Sequence, residues 1–161
     1  MKIGFIGVGA MGAAMAGHAV RAGFEVAAFD TDADTLAAAA VDGVTAAGSL
    51  ADLSAIDVAI VMVATDAQSI TVTHGLLDAG LGEGAVIVVT ATNHPKTMIS
   101  LAETCAAKGV GFVDAPVCYG LQGAIHGNLI SLCGGSDADI AKARPVLDSY
   151  SRSVEHLGGP G

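Results

Sequence analysis

Three glycines near the N-terminus, Gly7, Gly9 and Gly12, have the spacing G-x-G-x-x-G. They follow a short apolar run and precede an alanine-rich stretch, which places them at a turn from a strand into a helix. In such a turn the first glycine permits a tight bend, the second leaves room for a diphosphate, and the third lets the helix pack closely. Free N–H groups at the helix N-terminus favour the same anion. The pattern predicts a dinucleotide site, and a glycine-rich turn without a ligand is the alternative.

Asp30 stands at the end of the second predicted strand, 18 residues after Gly12. A carboxylate at this place accepts hydrogen bonds from a ribose 2′-hydroxyl and repels a 2′-phosphate. The residues that follow are Thr-Asp-Ala-Asp, beginning at Thr31, and they include no Lys or Arg. The cofactor we expect is therefore NAD, in preference to NADP. The alternative is that Asp30 caps the next helix, but Asp32 is the better-placed cap, which leaves Asp30 free for a ligand.

Two further loops follow predicted strands, at 63–66 and at Thr92–Asn93. Ligands in an open α/β sheet bind beyond the carboxyl ends of the strands, so both loops are candidates. Helix capping by Asn93 before Pro95 is an equal alternative for that residue. The candidate cofactor-binding residues are Gly7, Val8, Gly9, Ala10, Met11, Gly12, Asp30, Thr31, Val63, Ala64, Thr65 and Thr92. The five histidines show no metal-ligand spacing, so no metal site is expected.

Apolar runs and helix-compatible stretches alternate along the chain. The predicted strands are 2–7, 25–30, 57–63, 85–90, 110–114, 129–133 and 153–157. The predicted helices are 11–23, 32–41, 95–108 and 137–150, with one or two helical turns at 49–54. This alternation predicts one α/β domain over residues 1–161, of the doubly wound Rossmann type, with a mostly parallel sheet and helices on both faces.

The composition limits the classes of partner. The formal net charge is −9 with only 7 Lys and Arg residues, which argues against nucleic acid and against an anionic membrane surface. The three cysteines are scattered and form no C-x-x-C pair, which is typical of a reduced protein without disulfides or structural zinc. No signal-like or membrane-spanning run is present, and we expect a cytoplasmic location.

A second glycine-rich block begins after the strand at 110–114. Its spacing matches the pattern D-x-P-V-x-x-G-x-x-G-A-x-x-G-x-L followed by a glycine pair, through Asp114, Pro116, Val117, Gly120, Gly123, Ala124, Gly127, Leu129, Gly134 and Gly135. Together with residues 4–16 (G-F-I-G-V-G-A-M-G-A-A-M-A), this block resembles the N-terminal domain of the β-hydroxyacid dehydrogenases. That family includes 3-hydroxyisobutyrate dehydrogenase, tartronate semialdehyde reductase, L-threonate dehydrogenase and the 6-phosphogluconate dehydrogenase group. The resemblance covers essentially all 161 residues.

The resemblance implies hydride transfer between NAD and a short hydroxy-carboxylate. It implies that Cys118, Tyr119 and Gly120 contact the substrate, although the family usually has Ser at the first position and Gly at the second. A Ser-like role for Cys118 is favoured over a nucleophilic one, because no activating partner is evident. His94 and His126 fall near the expected substrate face. Each could act as an acid or bind a substrate carboxylate, and the alternative is that both are exposed loop histidines.

The resemblance also sets an expectation about what these residues lack. In the family the catalytic Lys follows the final glycine cluster, beyond Gly161, and an all-helical domain completes the pocket and the dimer. We therefore expect no catalytic residue within 1–161, NAD binding with little or no turnover, and homo-oligomerisation through the absent helical domain. The alternatives are a stand-alone NAD-binding module without catalysis and an imine-reductase-like enzyme.

Overall fold

Nine strands form one sheet in the computed structural model, which describes residues 1–40 and 43–161. The strands are β1 (Lys2–Ile6), β2 (Glu25–Phe29), β3 (Thr45–Ala46), β4 (Val58–Val61), β5 (Val86–Val89), β6 (Gly111–Asp114), β7 (Val117–Cys118), β8 (Leu129–Gly135) and β9 (Ser151–Gly158). The helices are α1 (Ala10–Arg21), α2 (Ala33–Ala39), α3 (Asp66–Asp78), α4 (Pro95–Ala106), α5 (Gly120–Ile125) and α6 (Asp137–Tyr150), with a 3-10 turn at Leu50–Leu53. The predicted end of the second helix at Val41 lies outside the described residues.

The first six strands run parallel in the order β3-β2-β1-β4-β5-β6. This is the order of a doubly wound fold, and it reverses direction between β1 and β4. β8 pairs antiparallel with β6 and β7, and β9 pairs parallel with the other edge of β8. The predicted fold class, a mostly parallel sheet in an α/β domain, is confirmed.

The central strands are buried on both faces. In β4, Val58 and Ile60 belong to the core on one face, and Ala59 and Val61 belong to the core on the other. Helices α1 and α6 cover the first of these cores, and α3 and α4 contribute to the second. A strand that is covered on both sides has no polar face, and so its sequence is continuously apolar. This is why the central strands were predictable from sequence.

Four elements were missed by the sequence analysis: α3, α5, β3 and β7. The α3 sequence carries the run Ser69 to Thr73, with Ile70, Thr71 and Val72 in the middle, and β-branched residues have weak helix propensity. The other three elements span six residues or fewer, too few to show a periodic pattern. Among the described residues, no helix combines the length and apolarity needed to cross a membrane.

Candidate functional site

A cavity of about 440 Å³ lies at the carboxyl ends of β1, β2 and β4. This is the point where the strand order reverses, and ligands of open α/β sheets bind at such a point. Six of the predicted residues line the cavity: Gly7, Gly9, Asp30, Thr31, Val63 and Ala64. The structure thus brings together the glycine-rich turn, the end of β2 and the loop after β4.

Two of the three glycines are required by the packing of the turn itself. Gly7 has a φ of +87°, and a Cβ there would overlap the carbonyl oxygen of Met62. A Cβ on Gly12 would overlap the carbonyl oxygen of Gly7. The first and third glycines therefore allow the tight turn and the close approach of α1, as the spacing predicts.

Gly9 differs from both, because apart from its own neighbours along the chain no heavy atom lies within 4 Å of the place where its Cβ would be. Gly9 borders the cavity, so a side chain there would occupy space that a ligand needs. Gly9 is also the N-cap of α1 and offers no side-chain acceptor, and the first turn of α1 carries no acidic residue. The amides of Ala10, Met11 and Gly12 are therefore free of intrahelical partners, as in any first turn. By contrast, the N-caps of four other helices each accept a backbone N–H through the side chain; these caps are Asp32 of α2, Thr65 of α3, His94 of α4 and Ser136 of α6.

Asp30 is held by two backbone donors. Its Oδ2 accepts from the N–H of Val8 at 2.9 Å, and its Oδ1 accepts from the N–H of Asp32 at 3.0 Å. Asp32 caps α2 as predicted, by accepting from the N–H of Thr35 at 2.7 Å. Asp30 is therefore not the N-cap of α2, as expected, but its carboxylate also anchors the glycine-rich turn, which the sequence did not predict. Each carboxylate oxygen has a second lone pair, so the group can still accept from a ribose hydroxyl.

The other wall of the cavity comes from α3, which the sequence analysis missed. The cavity residues that were not predicted are Ile6, Phe29, Met62, Ala67, Gln68, Thr71 and Val72. Gln68 Oε1 accepts from the N–H groups of Ala64 and Thr65 at 2.9 and 3.1 Å, and Thr65 Oγ1 accepts from the N–H of Gln68 at 3.2 Å. These bonds form a capping box that fixes the loop after β4. Its sequence signature, Thr65-x-x-Gln68, was the signal that could have revealed α3.

The loop after β5 lies outside this cavity. Thr92 is exposed and is absent from the cavity lining. Asn93 does not cap α4, because His94 does so by accepting from the N–H of Lys96 at 3.1 Å. Asn93 Nδ2 instead donates to Ser69 Oγ at 3.0 Å, which joins this loop to α3. His126 also has a local contact, between its Nδ1 and the carbonyl oxygen of Gln122 at 2.8 Å.

The three predicted substrate residues lie together at the end of β7 and the start of α5. They are on the carboxyl side of the sheet, as the cavity is, but they do not line it. Cys118 is exposed. Tyr119 has a φ of +83°, the one non-glycine residue with positive φ among those described, and Gly120 has a φ of +54°. Tyr119 therefore takes a left-handed backbone at the position where the resemblance expects glycine.

Three titratable groups outside the cavity, those of Cys105, Cys133 and Asp114, have pKa values that are raised by burial. Burial raises the pKa of the Cys105 thiol to about 12 and that of Cys133 to about 11, so neither is a reactive thiolate near neutral pH. Burial also raises the pKa of Asp114, and the N–H of Gly161, which donates to Asp114 Oδ2 at 3.1 Å, opposes that shift. Within 1–40 and 43–161, no group of three or more His, Cys, Asp or Glu residues is arranged to hold a metal ion.

The reversed strand order, the open space at Gly9 and the carboxylate at the end of β2 define a dinucleotide-binding domain of the Rossmann class. Residues 2–158 match the family described as the NAD binding domain of 6-phosphogluconate dehydrogenase. The chain belongs to this family, and the resemblance to the N-terminal domain of the β-hydroxyacid dehydrogenases is confirmed.

Individual relatives agree with this assignment. The chain is 35% identical to 2-(hydroxymethyl)glutarate dehydrogenase of Eubacterium barkeri, over 100% of this chain and 54% of the relative. It is 33% identical to 3-hydroxyisobutyrate dehydrogenase of Pseudomonas aeruginosa, over 99% of this chain and 54% of the relative. The structure of Mycobacterium tuberculosis 3-hydroxyisobutyrate dehydrogenase with L-serine superposes with a TM-score of 0.95 at 28% identity, covering 99% of this chain and 55% of that one. The chain thus spans about half the length of the relatives that it matches.

Proposed function

We propose that this chain is the cofactor-binding domain of an NAD-dependent oxidoreductase that acts on a short hydroxy-carboxylate. The observation that carries the proposal is the first turn of α1, which has no side-chain cap and directly follows Gly9, a residue that borders the same cavity as Asp30. Bound NAD would accept or donate the hydride at its nicotinamide C4. The family match supports this reading, and the relatives' names include dehydrogenases of hydroxy acids.

In this proposal the chain's residues bind and orient the cofactor. The amides of Ala10, Met11 and Gly12 would donate to the diphosphate, and Gly9 leaves space for it. Asp30 would accept from a ribose hydroxyl. The apolar and neutral groups of the cavity, among them Thr31, Val63, Ala64 and the side chains of α3, would surround the adenosine.

The same cavity favours NAD over NADP. Asp30 is the one charged residue among the lining residues, and none of them is Lys or Arg. A 2′-phosphate would lie beside the Asp30 carboxylate without a compensating cation. The preference therefore comes from repulsion as well as from the hydrogen bond to the 2′-hydroxyl.

The substrate side is also part of the proposal. We propose that Cys118, Tyr119 and Gly120 contact the hydroxy-carboxylate, because their loop is exposed on the side of the sheet where the cofactor would bind. We further propose that the proton-transfer group and the oligomer contacts belong to a second, helical domain that is not among these residues.

The experiment is a calorimetric titration of the chain with NAD and with NADP. We expect NAD to bind at least about tenfold more tightly, a difference of roughly 1.4 kcal/mol. Asp30→Asn keeps an acceptor for the N–H of Val8 but removes the charge, so it should narrow the difference between the two cofactors. Asp34→Ala removes an exposed carboxylate outside the cavity and should change neither affinity.

Two results would contradict the proposal. Binding of neither cofactor by a chain with a normal thermal transition would refute the cofactor site. Equal affinities in the wild type, unchanged by Asp30→Asn, would refute the role of the carboxylate while leaving dinucleotide binding intact.

A further inference from the structure

Arg152 contacts Tyr119 in a way that the sequence did not predict. Its Nη2 donates to the phenolic oxygen of Tyr119 at 2.6 Å, and its guanidinium carbon lies 4.4 Å from the centre of the ring. Tyr119 follows β7 and Arg152 is near the start of β9, on opposite edges of β8, so this contact spans β8. The hydrogen bond and the cation–π contact together fix the orientation of the guanidinium.

The contact leaves most of the guanidinium unused. A guanidinium has five N–H donors in a planar fork, and one of them donates to Tyr119. Within the described part of the chain, no carboxylate oxygen lies within 4.0 Å of a guanidinium nitrogen of Arg152, although the protein carries 16 Asp and Glu residues. Glu155, three residues further along β9, contacts the hydroxyl of Ser153 instead. Arg152 therefore presents free donors of the kind that bind a carboxylate bidentately.

Tyr119 adopts an unfavourable backbone conformation. A φ of +83° is rare for a bulky residue, and glycine would adopt it without strain. Tyr119 is 57% exposed, so burial of its side chain does not explain why a tyrosine occupies this position. What the tyrosine adds, compared with glycine, is the surface and the hydroxyl that orient Arg152.

The spacing of the strands places this cation within reach of the proposed substrate loop. Cys118 pairs with Ile130 on β8, and Ile130 pairs with Ser153 on β9. Neighbouring strands are about 4.8 Å apart, so the backbone beside Arg152 lies roughly 10 Å from that of Cys118. The Arg152 side chain turns back toward Tyr119 and shortens this gap. A short ligand with two carboxylates can therefore contact both the loop and the guanidinium.

We propose that Arg152, oriented by Tyr119, binds a second carboxylate of the substrate, so that the substrate class is a short hydroxy-dicarboxylate. This inference rests on the proposed function, in which the loop 118–120 contacts a hydroxy-carboxylate. Arg152 is then a specificity-determining residue, and Tyr119, besides its proposed contact with the substrate, positions the guanidinium. Neither takes part in the transfer of hydride.

The test compares two ligands that differ by one carboxylate. The chain, saturated with NADH, is titrated calorimetrically with 3-hydroxyglutarate and with 3-hydroxybutyrate. We expect the dicarboxylate to bind about tenfold more tightly, as a charge-assisted bidentate contact would produce. Arg152→Gln should abolish this preference and leave the affinity for 3-hydroxybutyrate unchanged. Arg152→Lys keeps the charge without the fork and should retain part of the preference.

The matched control is Arg21→Gln, which removes the same charge at the exposed end of α1. It should alter neither affinity. Tyr119→Phe keeps the ring and loses the hydroxyl that accepts from Arg152, so the ratio between the affinities for 3-hydroxyglutarate and 3-hydroxybutyrate should fall.

Three outcomes would overturn the inference. The wild type could bind the two acids with equal affinity, or it could bind neither. Alternatively, Arg152→Gln could weaken the binding of both acids equally, which would indicate a structural role for Arg152. A parallel titration with NAD separates this failure from that of the proposed function. If NAD binds, only the role of Arg152 is refuted, whereas absence of NAD binding refutes the proposed function itself.

Discussion

Gly9 and Gly12 belong to one sequence pattern but are glycines for different physical reasons. Gly12 lies against the carbonyl oxygen of Gly7, so its lack of a side chain is a requirement of folding. Gly9 faces open space in the cavity, so under the proposed function its lack of a side chain is a requirement of the ligand. The two positions therefore separate the stability of the turn from its proposed function.

Alanine at each position tests this separation. Gly9→Ala should cost less than about 1 kcal/mol of stability, because glycine is only a moderately better N-cap than alanine, and it should weaken NAD binding severely. Gly12→Ala should cost about 1–3 kcal/mol, because the methyl group overlaps backbone that must move. Urea unfolding gives the free energies, and calorimetry gives the NAD affinities. A Gly9→Ala variant that binds NAD as the wild type does would refute the assignment of the open space to the cofactor.

At the level of elements, α3 shows how a helix can position a site without any strong helical pattern in its sequence. Its helix propensity is weakened by β-branched residues, and its first turn is stabilised by the capping box of Thr65 and Gln68. The same Gln68 fixes the loop after β4 and lines the cavity. One residue of this helix, Gln68, thus both completes the cap and forms part of the cavity wall.

This double role predicts different effects for two similar caps. Thr65→Ala and Ser136→Ala each remove a side-chain acceptor at a helix N-terminus and should each cost about 1 kcal/mol. Only Thr65→Ala should also weaken NAD binding, because α6, which Ser136 caps, contributes no residue to the cavity lining. Thermal unfolding and NAD titration of both variants provide the comparison. Equal NAD affinities in the two variants would show that the capping box has no part in the site.

For the whole molecule, the pH dependence of stability contains two opposing contributions. Burial raises the pKa of Asp114 in the folded state above its ordinary value of 3.8. The contribution of this group is fully present below pH 3.8 and is lost as the pH rises through its folded pKa. The hydroxyl of Thr97 and then the N–H of His94 lower the pKa of Asp66, whose contribution is present above pH 3.8 and is lost as the pH falls.

Asn substitutions at Asp114 and at Asp66 test the two opposite pH dependences of stability separately. Asp114→Asn removes the ionisation of a half-buried carboxyl and should raise the Tm at pH 7, with a smaller gain at pH 4. Asp66→Asn should lower the Tm at pH 7 and have less effect as the pH falls below 3.8. Thermal scans from pH 3 to pH 8 measure both differences against the wild type. A gain from Asp114→Asn that grows toward low pH would contradict the assigned direction of the shift.

The sequence by itself determined the features that depend on neighbouring residues. The continuous apolar runs of β4 and β5, the G-x-G-x-x-G turn and the cap at Asp32 are local patterns, and the alternation of strands and helices then leads to one doubly wound sheet. On this basis the fold class was predicted correctly. Six of the twelve predicted cofactor-binding residues line the cavity.

The tertiary structure alone decided the contacts between residues that are distant in the chain. Asp30 accepts from the N–H of Val8, 22 residues away in the sequence, and Arg152 contacts Tyr119, which is 33 residues away. The wall that α3 supplies to the cavity likewise depends on how that helix packs beside β4. A local pattern carries no information about such contacts, because they depend on strand order and register, which bring the residues together only after the sheet has formed.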